Sequence, residues 1–279
     1  MKQELTTLCA GHVTHDRVGV DIVPGGCAFY AARTFQCLGA RSLLVSTVGE
    51  DFACDAAIAQ IECRLERQGR TTVFENSYPG GSMRLQTVTA LAPDVVVAQM
   101  PTDWTRPDVF FVGPVMGEVD LGAWKNAVQA GVVAIGVQGF IRKRSATRVV
   151  PSRWSPGPEE LAGVDVACLS EEDLTGQGDL LEHLCASIPI VALTRERKGC
   201  DIITAKGSCW VGIHPASVVD PTGAGDTFAA GFLYALATGQ PPEAAARLGA
   251  AAASIIIESR AGEGFARMGE AFARASSLG

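Results

Sequence analysis

Asp220-Pro221-Thr222-Gly223-Ala224-Gly225-Asp226-Thr227-Phe228 is a glycine-rich turn that runs straight into an apolar stretch with helical spacing. Glycine lets the backbone turn tightly and approach a ligand with no Cβ in the way. The first N–H groups of a helix have no partner within it, and the helix dipole is positive there. Gly223, Ala224, Gly225 and Asp226 are therefore set to present backbone donors to an anion. The Asp226 carboxylate reads in two ways. It is either an N-cap for the helix, or the proton acceptor for a hydroxyl that attacks a phosphoryl group. The loop lacks the GK[ST] ending of a Walker A motif.

Working outward, helices are expected over 226–237, closed by Gly239 and Pro241-Pro242, and over the Ala-rich 243–258. Upstream, short β-rich runs at 5–10, 42–48, 108–112, 132–137, 164–169 and 188–193 alternate with helical patterns at 27–38, 51–65, 121–130 and 180–186. Residues 71–76 and 84–89 read as a hairpin around Pro79-Gly80-Gly81, and 201–205 with 209–213 as another around Lys206-Gly207-Ser208. The segment 142–158, with five Lys or Arg and three Pro, reads as a surface loop. This rhythm predicts an α/β fold in one domain, 1–279, with a mostly parallel sheet covered by helices on both faces.

Composition narrows the function classes. Hydrophobic residues make up 47% and charged residues 19% of 279, enough for a sizeable core. The net charge of −7 argues against a nucleic-acid partner. Nine cysteines, odd in number and without a CxxC, form no zinc or disulfide pattern and read as small core residues in a reducing cytoplasm. Residues 1–7 lack the apolar core of a secretory signal, and no apolar run approaches the roughly 20 residues of a membrane span. A soluble, cytoplasmic protein with no membrane partner is expected.

The run D-P-T-G-A-G-D-T-F-A-A-G-F from Asp220 resembles the C-terminal signature of the ribokinase, or PfkB, carbohydrate kinase family. A reduced N-terminal signature is present as Pro24-Gly25-Gly26-Cys27-Ala28, Leu38-Gly39-Ala40 and Val48-Gly49-Glu50-Asp51-Phe52. The resemblance runs from about residue 8 to about residue 262. It implies a ribokinase-like three-layer α/β/α fold with a small β-lid from about 16–25 and 71–90. It also implies ATP as phosphoryl donor with Mg²⁺, Asp226 as catalytic base, and the backbone of Gly223, Ala224 and Gly225 as anion hole.

Other positions follow from the same resemblance. Asp16, in Gly11-His12-Val13-Thr14-His15-Asp16, stands beyond the first strand, where open parallel sheets bind ligands. It is either a turn residue or, as the family implies, an acceptor for substrate hydroxyls. His12 and His15 have no third residue to make a metal site. Gly25 and Gly26 resemble the diglycine that packs on the substrate. Tyr30 stands where many sugar kinases of the family have asparagine, which weighs against a ribose- or fructose-type substrate. Gly11-x-x-x-His15-Asp16, Thr71-Thr72-Val73-Phe74 and Val137-Gln138-Gly139-Phe140-Ile141-Arg142 resemble the myo-inositol kinase branch. Gln138 and Arg142 are then rim residues of the substrate site, or else a loop amide and a solvated charge.

On the donor side, Ser170-Glu171-Glu172-Asp173 stands where the family carries N-x-x-E, which acts on Mg²⁺ through water. Asp173, or Glu172, takes the glutamate's place, or Ser170 simply caps the next helical turn. Thr194 and Gly199 match ATP contacts, and Arg195 is a phosphate partner or a surface charge. The stretch from Ala250 to Ser254 either leaves room for adenine or makes a close helix contact. Asp220 and Thr222 resemble a monovalent-cation site, with K⁺ left open. The function expected is an ATP-dependent kinase for a small polyol or sugar, a cyclitol such as myo-inositol being favoured. The alternatives are a nucleoside or other sugar kinase, and a catalytically weak metabolite-binding protein of the same fold. The partners are the small-molecule substrate and ATP, and a monomer and a homodimer both stand.

Overall fold

The computed structural model describes residues 4–77, 85–260 and 262–278. In chain order the strands and helices are β1 (Thr6–Ala10), β2 (Thr14–Val18), β3 (Asp21–Gly25), α1 (Cys27–Cys37), β4 (Arg41–Val48), α2 (Asp55–Ile58), β5 (Glu62–Arg67), β6 (Val73–Ser77), β7 (Leu85–Ala90), β8 (Val109–Val112), α3 (Leu121–Ala127) and β9 (Val132–Gly136). They continue as β10 (Arg142–Ser145), β11 (Arg148–Pro151), α4 (Pro158–Leu161), β12 (Val166–Ser170), α5 (Leu180–Ser187), β13 (Ile190–Thr194), β14 (Cys200–Thr204), β15 (Gly207–Val211), α6 (Ala224–Ala237), α7 (Pro242–Ile256) and α8 (Ala271–Ser276).

Nine strands form the main sheet, in the order β15-β14-β13-β12-β9-β8-β1-β4-β5. Those from β13 to β5 run parallel, and β14 and β15 close one edge antiparallel. The central strands are apolar along their length because both faces are covered. Val109, Phe110, Phe111 and Val112 of β8 are all fully buried. One core lies against α1, α6 and α7, with Phe35, Phe111, Phe228, Phe232 and Ile255. The other lies on the opposite face with Phe110, Trp124, Leu161 and Leu184. The result is a three-layer α/β/α fold.

Small residues let α6 and α7 come close. A Cβ on Gly231 would stand 3.1 Å from the Gly249 Cα, and one on Gly249 would stand 2.7 Å from the Phe228 carbonyl oxygen. The alanine content of α7 thus has a packing cause.

Two expectations are corrected. Within 51–65 only α2 is helical, and the chain then enters β5, parallel to β4 at the sheet edge. Half-buried Cys63 and Leu65 alternate there with exposed Glu62, Arg64 and Glu66, a period of two that outweighs the helix propensity of the charged residues. Arg41 grips Glu62 across the strands with two hydrogen bonds of 2.8 and 2.7 Å. The segment 142–158, expected as a loop, begins with the β10–β11 hairpin, which turns at Ala146 with φ 54°. The turn expected at Pro79-Gly80-Gly81 lies outside the described residues.

That hairpin joins a second sheet, β10-β11-β7-β6-β2-β3. It is wider than the two segments expected as a lid, because 142–151 adds two strands. The sheet is tied to the carboxyl ends of the parallel strands, since β2 follows β1 and β10 follows β9 within a few residues. A buried network fixes the junction. The Glu118 carboxylate, 4% exposed, accepts the N–H groups of His12 (3.0 Å), Val115 (2.9 Å) and Met116 (2.8 Å). His12 Nε2 lies 2.9 Å from the Pro93 carbonyl, which can only accept, so this nitrogen carries the proton. Thr72 Oγ1 then donates to His12 Nδ1 at 3.0 Å and accepts from the Ala92 N–H at 2.9 Å. His15 is the second anchor. Its Nε2 accepts the Ala53 N–H at 3.0 Å, and its ring stacks on Phe52 at 5.4 Å.

The junction is testable in two ways. Glu118→Ala leaves two buried donors and one half-buried donor unsatisfied and lowers unfolding free energy by roughly 3 kcal/mol or more in a denaturant titration; a loss under about 1 kcal/mol contradicts the network. Burial lowers the His15 pKa below its ordinary 6.5 and Arg17 lowers it further, against the pull of Asp51. The unfolded chain therefore takes up that proton first. The stabilisation is whole above pH 6.5 and is lost as pH falls through 6.5 toward the lowered value. His15→Gln should flatten the stability curve between about pH 7 and about pH 5; an unchanged slope there contradicts the assignment.

Candidate active site

The loop at 220–226 builds the floor. Gly223, not Asp226, occupies the N-cap position of α6, with φ 78°. Asp226 is the third helical residue, and the helix has no side-chain cap. The N-cap reading of Asp226 is thereby corrected: a left-handed glycine makes the turn, and the carboxylate lies further along. A side chain at 223 would also collide with Tyr30, since its Cβ would fall 2.2 Å from the ring. Asp220 Oδ1 accepts the Thr222 N–H at 2.9 Å and tightens the approach to the turn. Of the three expected anion donors, Ala224 already donates to the Pro221 carbonyl at 3.2 Å. Above exposed Gly225, a Cβ would meet no atom within 4 Å, so this residue borders open space.

Tyr30 of α1 brings the two halves of the site together. Its ring is 2% exposed, set against Gly223 and 5.7 Å from Phe265. Burial pushes its hydroxyl pKa up, and the charges of Asp16, Asp220 and Asp226 add to the rise. The charges of those three carboxylates thus all reach one tyrosine. Asp16 reaches this place from β2, with Thr14 Oγ1 donating to its Oδ1 at 2.7 Å. Its carboxyl group presses on Gly25, where a Cβ would stand 2.4 Å from it. Gly26, at φ 98°, abuts the His12 carbonyl in the same way. Gly25 thus packs on Asp16, and Gly26 on the backbone just before β2.

Cys27, read from sequence as a core residue, belongs to this site. It opens α1 directly after Gly26, and its Sγ occupies a slot beside Gly113 and Gly136, where added Cβ atoms would lie 2.8 and 3.2 Å away. Burial pushes its thiol pKa well up, and the charge of Asp226 and a hydrogen bond to it push the same way. The thiol is therefore a donor beside Asp226. The sequence carried one sign of this, its place next to the diglycine.

The expected donor-side residues are less open. Arg195 pairs with Glu171 (3.3 Å) and Asp201 (2.7 Å), so its charge is already matched, although its Nε is buried with no partner among the described residues. Thr194 Oγ1 donates to the Leu169 carbonyl at 3.3 Å. Gly199 is required at φ 88°, where a Cβ would stand 2.3 Å from the Val211 carbonyl oxygen. Asp173 is buried and accepts from Ser170 N–H (2.8 Å) and Oγ (2.7 Å), while exposed Glu172 lies beside it. Gln138, exposed, donates to Asp173 at 3.4 Å. Ser254 Oγ donates to the Ala251 carbonyl at 2.6 Å and receives Arg274 at 2.9 Å, so it takes part in the α7–α8 contact, the second of the two readings of that stretch. Ala250 is half-buried in the packing around α7. Arg142 donates to Gln86 at 3.2 Å. Among the described residues, no group of three or more His, Cys, Asp or Glu side chains is placed to hold a metal ion, and no helix is long and apolar enough to cross a membrane.

Comparison with known proteins bears on this geometry. The family model for the pfkB family carbohydrate kinase matches residues 141–264. Cytidine kinase of Thermococcus kodakarensis is 27% identical over 245 residues, 81% of this chain and 85% of that protein. Inositol 3-kinase of Arabidopsis thaliana is 29% identical over 247 residues, 84% of this chain and 67% of that protein. A solved pyrophosphate-dependent kinase in the ribokinase family, complexed with a pyrophosphate analog and myo-inositol, matches with TM-score 0.74 at 21% identity, over 90% of this chain and 94% of that one. The family match covers residues 141–264, and motif, fold and relatives agree with it in pointing to a phosphotransferase that acts on a hydroxyl group.

Proposed function

We propose that the chain transfers the terminal phosphoryl group of ATP to a hydroxyl of a small polyol, a cyclitol such as myo-inositol. The carrying observation is the convergence of Asp16, Tyr30 and Asp226 beside the helix start at Gly223. Asp16 accepts hydrogen bonds from neighbouring hydroxyls of the acceptor. Asp226 takes the proton of the attacking hydroxyl. The amides around Gly225 hold the moving phosphoryl group as its charge develops. The Cys27 thiol donates to Asp226 and holds the carboxylate in place. Tyr30 fills the space over Gly223 with a rigid ring and so favours a compact acceptor.

Two features support ATP as donor. Val218 and Val219, immediately before the loop, are about half exposed at 47% and 52%. They give a base an apolar surface next to the phosphate loop. The residues also fit a divalent ion carried in on the phosphates, because Mg²⁺ keeps most of its water and takes few protein ligands. When bound there, Mg²⁺ shares the phosphate charge. The aligned relative that is a cytidine kinase supports a second reading, a nucleoside acceptor.

The test is a coupled assay over cyclitols, sugars and nucleosides, with ATP and with pyrophosphate as donors. Turnover should be highest with a cyclitol and ATP; a nucleoside or another sugar as best acceptor, or pyrophosphate as best donor, overturns the finer reading. Asp226→Asn should lower kcat by at least about 10²-fold while donor binding by calorimetry persists. A variant that keeps the wild-type rate removes Asp226 from the role of base.

A further inference from the structure

Between α7 and α8 the chain makes a short 3-10 run, Glu263–Glu270. The run lies close on the end of α7, since a Cβ on Gly264 would stand 2.8 Å from the Ile255 carbonyl oxygen. Gly262 opens it at φ 78°, where a Cβ would fall 2.9 Å from the Phe265 ring. The Phe265 N–H closes the first turn on the Gly262 carbonyl at 3.1 Å. Backbone and glycines together fix where this aromatic side chain, buried at 7% exposure, leaves the run.

Phe265 meets one face of α1. Phe29 and Tyr30 lie four and three residues before Arg33, so all three side chains come together on the helix. The Phe265 ring stands 6.1 Å from Phe29, edge to face at 87°, and 5.7 Å from Tyr30 at 40°. Both spacings are those of favourable aromatic pairs. The Arg33 guanidinium lies over the Phe265 ring at 5.4 Å. Arg33 is itself held, donating through Nη1 to Gln36 Oε1 at 2.7 Å and to Gln60 Oε1 at 2.9 Å. Phe29 also meets Tyr30 edge to face at 5.5 Å. Two rings therefore bear on Tyr30, whose own ring stands 2.2 Å from where a Cβ at 223 would be.

We propose that Phe265 is a positioning residue of the phosphoryl transfer: it holds the Tyr30 ring against Gly223 and so keeps the start of α6 in register with the acceptor. This rests on the reading of residues 223–226 as the place of transfer. A tyrosine ring swings about two side-chain bonds, and neighbours packed on it remove that freedom. Without Phe265 the ring is free to leave Gly223, and the turn that sets Gly225 and Asp226 loses the surface it rests on. Transfer tolerates little play, since a misplacement of about 1 Å caused by a distant change costs on the order of 10²-fold in rate.

The test is a double-mutant cycle in the full-length chain, read as kcat and KM at a temperature where circular dichroism shows every variant folded. Phe265→Leu keeps an apolar side chain and loses the ring. It should lower kcat by at least about fivefold, with the KM of ATP and of the best acceptor held within about twofold. In a Tyr30→Leu background the same change should alter kcat by less than about twofold, because the residue it acts through is gone. In a Tyr30→Phe background, which keeps the ring, the loss should return in full. Phe265→Met carries the same comparison if Phe265→Leu does not fold. Wild-type kcat in the Phe265 variant, a loss carried by KM alone, or an equal loss in all three backgrounds overturns this inference alone, provided that Asp226→Asn loses turnover. An Asp226→Asn variant at the wild-type rate overturns the reading of the loop and this inference with it.

Discussion

At Gly223 the chain turns through φ 78° with the Tyr30 ring standing where a side chain would be, and α6 begins at the next residue. That contact sets much of the site. It fixes where the helix starts, hence where its unpartnered amides point and where Asp226 falls. It seats Tyr30, and through the tyrosine it relates the loop to Asp16 on the other sheet. A bulkier residue at 223 would shift the turn, the base and the aromatic ring together.

The second sheet depends on buried polar chemistry more than on apolar area. Its inward apolar cluster is small, centred on Phe74, Val88 and Val115. Glu118, His12 and Thr72 tie its base to the ends of the parallel strands, and His15 ties it to the Phe52–Ala53 turn. Such a junction holds one geometry well, because every donor in it has a partner that movement would take away. The two histidines, weighed from sequence against a metal role, do this structural work.

Much of the fold could be read from local pattern. The central parallel strands are apolar along their length, and the 220–228 loop joins glycines, a helix start and a carboxylate within a few residues. What escaped depended on partners distant in the chain. The strand at 62–67 is rich in Glu and Arg, and only its place at a sheet edge decides for β structure over helix. The 142–151 hairpin looks like a basic loop until β7 is beside it. Cys27 looks like one more small core residue until the chain brings Asp226 to its sulfur. Asp226 itself could be named from sequence, but whether it capped the helix turned on the backbone of Gly223. Ser254 read equally as room for adenine or as a helix contact, and the Arg274 that engages it lies in the last helix.

The most direct test of the site is a crystal structure of the chain with myo-inositol, Mg²⁺ and a non-hydrolysable ATP analogue. The terminal phosphate is expected about 3 Å from the amides around Gly225, with one acceptor hydroxyl at a similar distance from the Asp226 carboxylate. A phosphate seated away from residues 223–226, or an acceptor whose hydroxyls all lie beyond reach of Asp226, would contradict the roles given to that loop and its carboxylate.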